Sequence, residues 1–136
     1  MAKVIGLGGV FFTCRDPAAL GRWYQDCLGV PVKPPYGATF LPAATPPGGY
    51  QVWSPFPADT PYFTPSRAPF MINLMVDDLD GCLARVLDAG AKVMPEREDG
   101  VYGRFGWFLD PEGNKVELWE PPARLPKDVS PKDAQG

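Results

Sequence analysis

The chain has 136 residues, 45% of them hydrophobic, and a formal net charge of −3. That length suits one domain, or two small modules sharing a core, and the apolar content suffices for a globular interior. The acidic balance, with no run of Lys or Arg, argues against nucleic acid and anionic membranes as partners, and no apolar run approaches the ~20 residues that cross a bilayer.

Residue types narrow the chemistry further. The chain contains no histidine, which removes the commonest metal ligand and the commonest general base in one step. Its three cysteines, Cys14, Cys27 and Cys82, are odd in number and far apart, which speaks against a disulfide framework and against a Cys-x-x-Cys metal site. The N-terminus carries no signal-peptide pattern, so the expected location is the cytoplasm.

In chain order, the apolar run from Gly8 to Arg15 reads as a strand. Asp16-Pro17 then opens a helix, because Asp caps free backbone N–H groups and Pro suits the first helical position. Leu20, Trp23, Tyr24, Cys27 and Leu28 follow at helical spacing, with the Tyr24 hydroxyl expected at the surface, and Gly29 stops the helix. Short strands are expected at Val30–Val32, Ala38–Leu41 and Tyr50–Trp53. Five prolines between Pro55 and Pro69 mark an extended linker crossing the surface.

The pattern then restarts. Phe70–Val76 reads as a strand, and Asp77-Asp78 caps a helix carrying Leu79, Cys82, Leu83, Val86 and Leu87 on one face. Gly90 ends it, Ala91–Met94 forms a strand, and Pro95–Gly100 a charged loop. Two apolar runs then flank Asp110-Pro111-Glu112-Gly113-Asn114, in which Pro111 presets a turn and Gly113 can take positive φ, so the stretch from Tyr102 to Glu120 reads as a hairpin. Asp16 matches Asp78, Gly29 matches Gly90, and Trp53-Ser54-Pro55 matches Trp119-Glu120-Pro121, so Gln51 matches Glu117. The organisation expected is a single domain over 1–136, built as module one (3–54), linker (55–69), module two (70–121) and a tail (122–136) that starts ordered and then frays.

Three segments carry a resemblance to a known group. They are Val10-Phe11-Phe12-Thr13-Cys14-Arg15-Asp16 leading into Trp23-Tyr24 and Leu28-Gly29, then Met75-Val76-Asp77-Asp78-Leu79-Asp80, and the most specific, Asp110-Pro111-Glu112-Gly113-Asn114-Lys115-Val116-Glu117-Leu118. The chain resembles the vicinal oxygen chelate superfamily, which includes glyoxalase I, extradiol dioxygenases and the fosfomycin and bleomycin resistance proteins. The resemblance implies an α+β fold in which two tandem βαβββ modules pair their sheets into a cup with the helices outside. It also implies a homodimer, with the cup built within one chain or across two.

In the superfamily's metalloenzymes four inner-face positions hold a divalent ion. Carried over by motif, they fall at Gly9, Gln51, Met71 and Glu117. Only Glu117 is a good ligand for a hard ion, Gln51 offers a neutral oxygen, and Gly9 offers nothing. The expectation is therefore no cofactor, with a divalent metal as the lesser alternative. Strand alternation from Glu117 and Gly9 turns Phe11, Thr13, Lys115 and Trp119 inward, together with Trp53, Asn73 and Met75, while Phe12 and Cys14 face the helices.

The expected ligand-binding residues are Phe11, Gln51, Trp53, Met71, Asn73, Arg104 and Trp119, an apolar cup with a few polar points. Arg104 is included because its fork can hold an anionic group. Asp77, Asp78 and Asp80 fit a helix N-terminus and are given no chemical role. The leading functional reading is a small-molecule-binding protein for a planar or amphipathic ligand. The alternative is a lyase, isomerase or dioxygenase with Glu117 as general base or lone metal ligand. A third reading has the cup filled by the chain's own side chains.

Overall fold

The computed structural model describes residues 2, 3, 5, 7, 9–33 and 37–129. Helix α1 (Pro17–Leu28) begins where the sequence places it, with the Asp16 carboxylate accepting from the Ala19 N–H at 3.1 Å. Strands β1 (Val32–Lys33) and β2 (Gly37–Ala38) pair antiparallel. Strand β3 (Ile72–Met75) leads to helix α2 (Leu79–Asp88), capped by Asp78. Strands β4 (Lys92–Gly100), β5 (Gly103–Leu109) and β6 (Lys115–Glu120) complete a four-stranded sheet of order β3-β6-β5-β4, in which β3 and β6 are parallel and the other pairs antiparallel. The architecture is α+β, with an open mixed sheet covered on one face by both helices.

The core lies between the helices and that face. Leu79, Leu83 and Val86 of α2 and Cys27 of α1 pack with Phe108, Val116 and Leu118 from the sheet, and Trp23, Tyr24 and Leu28 close its side. Burial of large apolar side chains here supplies most of the driving force for folding, at about 1.5–3 kcal/mol for each one fully removed from water. Leu87 was expected on this face but is exposed, because the buried stripe of α2 follows 79, 83 and 86 and turns Leu87 to solvent.

The second module thus forms a complete βαβββ unit. The first forms its helix and a short hairpin, while residues 9–15 and 50–53, expected as strands, carry no ladder. Several of their apolar side chains find no layer to pack on: Val10, Phe11, Val52 and Trp53 are all exposed. A ladder without a buried face is marginal in water. Gln51 instead bridges to the N-terminal segment through its side chain, accepting from the Leu7 N–H at 2.8 Å and donating to the Leu7 carbonyl at 3.4 Å. Phe12 and Cys14 lie outside the core cluster, and Phe12 stands with its ring centroid 6.3 Å from that of Phe70. The expected strand start at Gly8 and the frayed end of the tail, residues 130–136, lie outside the described residues.

A second difference concerns 95–100, expected as a loop. These residues continue β4, which pairs Val93 with Phe108 and then Arg97 with Gly106, so β4 carries an irregularity around Pro95. The strand lies at the edge of the sheet, where a residue without an N–H and a row of charges are tolerated.

The hairpin turn is densely hydrogen-bonded. Asp110, only 6% exposed, accepts from the N–H groups of Glu112 and Asn114 at 2.9 Å each, from the Asn114 side chain at 3.0 Å and from the Tyr24 hydroxyl at 2.9 Å. Tyr24 therefore turns its hydroxyl inward, and burial, followed by the Asp110 carboxylate, raises its pKa so that the phenol stays a donor. Gly113 supplies the φ of 84° that the turn requires. Glu112 reaches back to the first module, accepting from the Arg15 N–H at 3.1 Å, the Arg15 Nε at 3.0 Å and the Asp16 N–H at 3.1 Å.

These bonds, led by the Arg15 backbone N–H, hold Glu112 below the usual carboxylate pKa. A depressed carboxylate contributes stability above its unfolded pKa and loses it as pH falls through the folded value. Wild type should melt above Glu112→Gln at pH 7, and the difference should close below about pH 4. A gap of equal size at pH 7 and pH 3 would show that the charge plays no part.

Candidate functional site

Register decides which side chains share the face opposite the helices. In the hairpin, Trp107 pairs with Glu117, Phe105 with Trp119 and Leu109 with Lys115, while β3 sets Asn73 beside Glu117 and Met75 beside Trp119. Alternation puts Phe108, Val116 and Leu118 on the helix side, so Phe105, Trp107, Glu117, Trp119, Asn73 and Met75 form one wall on the other.

Glu117, at 8% exposure, is the centre of that wall. Its Oε1 accepts from Asn73 Nδ2 at 2.6 Å, and its Oε2 accepts from Trp107 Nε1 at 2.8 Å and from the Tyr62 hydroxyl through a short bond. The carboxylate acts as acceptor in all three, which is what a buried anionic group needs to offset lost hydration. Burial first, and then the Glu117 hydrogen bond and charge, raise the Tyr62 pKa, so this phenol also remains a donor.

Tyr62 comes from the Pro-rich segment, which lies on the wall rather than merely crossing the surface. The residue is fastened twice to β6: its hydroxyl on Glu117, and its backbone carbonyl by Lys115 Nζ at 2.7 Å. That ammonium also stands over the rings of Tyr62 and Trp107, 5.5 and 5.8 Å from their centroids. Phe56 stacks on Tyr62 at 5.4 Å with 7° between planes, and Tyr62 meets Trp107 edge-on at 6.1 Å.

Trp119 anchors the other end of the wall. Its indole N–H donates to the Tyr102 carbonyl at 2.7 Å, Phe105 stacks beside it at 6.2 Å, and Tyr50 meets it edge-on at 4.9 Å. The structure thus brings together Glu117, Asn73 and Trp119 from the expected set. Met71 is half-buried at the entry to β3. Gln51 is engaged with Leu7. Phe11 and Trp53 stand in solvent at 95% and 79% exposure, and neither is a partner of Glu117. Arg104 lies on the opposite face, because it alternates with Phe105 along β5, and its guanidinium bonds Asp80 at 3.0 and 3.1 Å and Asp99 at 3.4 Å.

Sequence reasoning missed Trp107 and Tyr62. Trp107 was within reach, since a turn that pairs 109 with 115 necessarily pairs 107 with 117. Tyr62 had no such signal, because a proline-rich stretch has no periodicity from which to read a side chain's direction.

The four metal positions do not make a site for a hard divalent ion. Gly9 has no side chain, Met71 offers a thioether, the Gln51 oxygen accepts from Leu7, and both Glu117 oxygens accept from donors of the chain. Among the described residues no three His, Cys, Asp or Glu side chains cluster with metal-binding spacing. Two surface clefts, of about 340 Å³ beside Trp23 and Arg85 and about 640 Å³ along the 109–113 turn, lie away from Glu117.

The sequence profile described as a glyoxalase-like domain matches residues 9–119. The chain belongs to the glyoxalase-like domain family. No curated protein matches this glyoxalase-like chain. Among solved structures it is similar to a glyoxylase/bleomycin resistance protein/dioxygenase domain from Frankia sp. EAN1pec, at 18% identity and TM-score 0.53, covering 88% of this chain and 100% of that one. It is also similar to an integron cassette protein from the mobile metagenome of V. cholerae, at 20% identity and TM-score 0.53, covering 87% and 96%. At these identities the likeness is one of fold alone.

Removing one donor from a buried carboxylate should cost about 1–3 kcal/mol. Asn73→Leu, which keeps the volume and deletes the amide, is expected to lose that much in urea unfolding. A change under about 0.5 kcal/mol would mean that water replaces the amide without penalty.

Proposed function

We propose that this glyoxalase-like protein binds a planar or amphipathic small molecule against the aromatic wall around Glu117, and that it does so without the superfamily's divalent metal. The observation that carries this reading is the carboxylate itself: an acidic group set among Trp107, Tyr62 and Trp119, with both oxygens already engaged by hydrogen-bond donors. Aromatic walls with a few convergent polar atoms suit small-molecule recognition, because stacking supplies affinity and the polar atoms fix orientation. The engagement of both oxygens supports an anchor for ligand or strap rather than a free general base.

Intrinsic tryptophan fluorescence tests the reading. Members of a panel of planar aromatic compounds should quench emission saturably, and the quenching should fall in Trp107→Phe or Trp119→Phe. A panel with no member that perturbs either indole overturns it.

We further propose that the protein is a cytoplasmic homodimer. The exposed side chains of Val10, Phe11, Val52 and Trp53, together with the outer edge of β3, which meets no strand among the described residues, support a second copy as the partner for this side of the chain. Light scattering at micromolar concentration should give twice the chain mass, and Phe11→Asp should shift it toward monomer. A wild-type monomer under those conditions refutes the proposal.

A further inference from the structure

We infer that Tyr62 is an internal occupant of a ligand subsite at Glu117, and that the external ligand of this subsite is a neutral planar ring bearing a hydroxyl donor, of the phenol class. The inference rests on the small-molecule reading above and specifies its ligand.

The geometry already contains the complex. A phenol ring lies between a parallel neighbour, Phe56, and a perpendicular one, Trp107, while its hydroxyl donates to a buried carboxylate that Asn73 and Trp107 also hold. Stacking, edge contact and a charge-assisted hydrogen bond are the three terms by which a protein would recognise a free phenol. Here they are spent on a side chain of the same molecule.

The charge pattern selects a neutral donor over a cation. Lys115 places its ammonium against the faces of Tyr62 and Trp107. A cationic ligand would meet that like charge, and an anionic one would meet Glu117. A hydroxyl on a planar ring meets neither, and the ring's negative face is attracted by the ammonium.

The segment that carries Tyr62 is built to come away. It holds five prolines between 55 and 69, it contains neither helix nor strand, and its own backbone bonds are short-range turns, Thr60 to Pro57, Thr64 to Pro61 and Ser66 to Phe63. Its polar fastening to the sheet falls on Tyr62 at both points, the hydroxyl on Glu117 and the carbonyl on Lys115. A ligand that replaces the hydroxyl therefore competes with one side chain, and its apparent affinity is lowered by the fraction of molecules in which Tyr62 is seated.

The test uses the full chain and two probes of nearly equal shape, 4-methylphenol and toluene. Tyr62→Ala empties the subsite, and Tyr62→Phe keeps the ring but removes the tie. Binding is read from the Trp107 indole N–H resonance in NMR titrations, assigned with Trp107→Phe, and circular dichroism confirms folding. The expected result is that Tyr62→Ala binds 4-methylphenol at least about tenfold more tightly than wild type and about tenfold more tightly than toluene, the ratio a hydrogen bond to a charged group supplies. The preference over toluene should collapse in Tyr62→Ala/Glu117→Gln. Should Tyr62→Ala fail to fold, Tyr62→Phe is expected to gain severalfold for 4-methylphenol. A folded Tyr62→Ala that binds no better than wild type, or that ignores the hydroxyl, overturns the inference. If panel compounds still quench wild-type tryptophan in that case, the broader small-molecule reading stands and only the subsite is lost. If nothing quenches either, both fall.

Discussion

The structure depends on a buried carboxylate in a five-residue turn. Asp110 accepts four hydrogen bonds, three from its own turn and one from Tyr24. The three local bonds set the turn, and the turn sets the register of β5 against β6. The bond to Tyr24 ties that register to α1, and the neighbouring Glu112 adds a second tie through Arg15 and Asp16. Everything on the far face follows, since Trp107 opposes Glu117 only if Leu109 opposes Lys115. A slip of one residue would send Glu117 into the core among Phe108 and Leu118 and leave the wall without its centre.

The wall holds a carboxylate among donors of its own chain. A metal site needs several ligands converging on one point with their lone pairs free. Glu117 has the reverse arrangement, in which three donors converge on one acceptor. Two of them, Asn73 and Trp107, come from the strands on either side of β6 and are fixed by the sheet. Tyr62 comes from a segment with little regular structure. Two donors are thus set by the sheet itself, and the third by a segment that the sheet holds through Glu117 and Lys115.

Much of this was legible in the residues, and what was not had physical causes. Asp16 and Asp78 marked both helix starts, and Asp110-Pro111-Glu112-Gly113-Asn114 marked the hairpin, because caps and turns depend on local chemistry. With Glu117 and Met71 set inward by the resemblance, alternation carries that direction to Trp119 and Asn73. Arg104 falls on the face away from Glu117 because parity along β5, not the chemistry of its guanidinium, sets its direction. Pro95–Gly100 resembles a loop in sequence because an edge strand admits a proline and charges that an inner strand rejects. The strands expected at Gly8–Arg15 and Tyr50–Trp53 rest on short apolar runs, whereas a ladder also requires a neighbour and a buried face. Tyr62 lay beyond reach, since only tertiary structure brings a residue of the Pro-rich segment to β6.

The two edges of the sheet are not alike. The β4 edge carries Pro95, a register irregularity and the run Glu96-Arg97-Glu98-Asp99, features that reject an incoming strand. The β3 edge, Ile72-Asn73-Leu74-Met75, has none of them. A sheet with two receptive edges can lengthen without limit, as fibrils do, whereas a sheet with one can only be terminated by its next neighbour. The irregularity and charges of β4 therefore act as a stop on strand pairing at that edge, which leaves β3 as the edge of this sheet open to a further strand among the described residues.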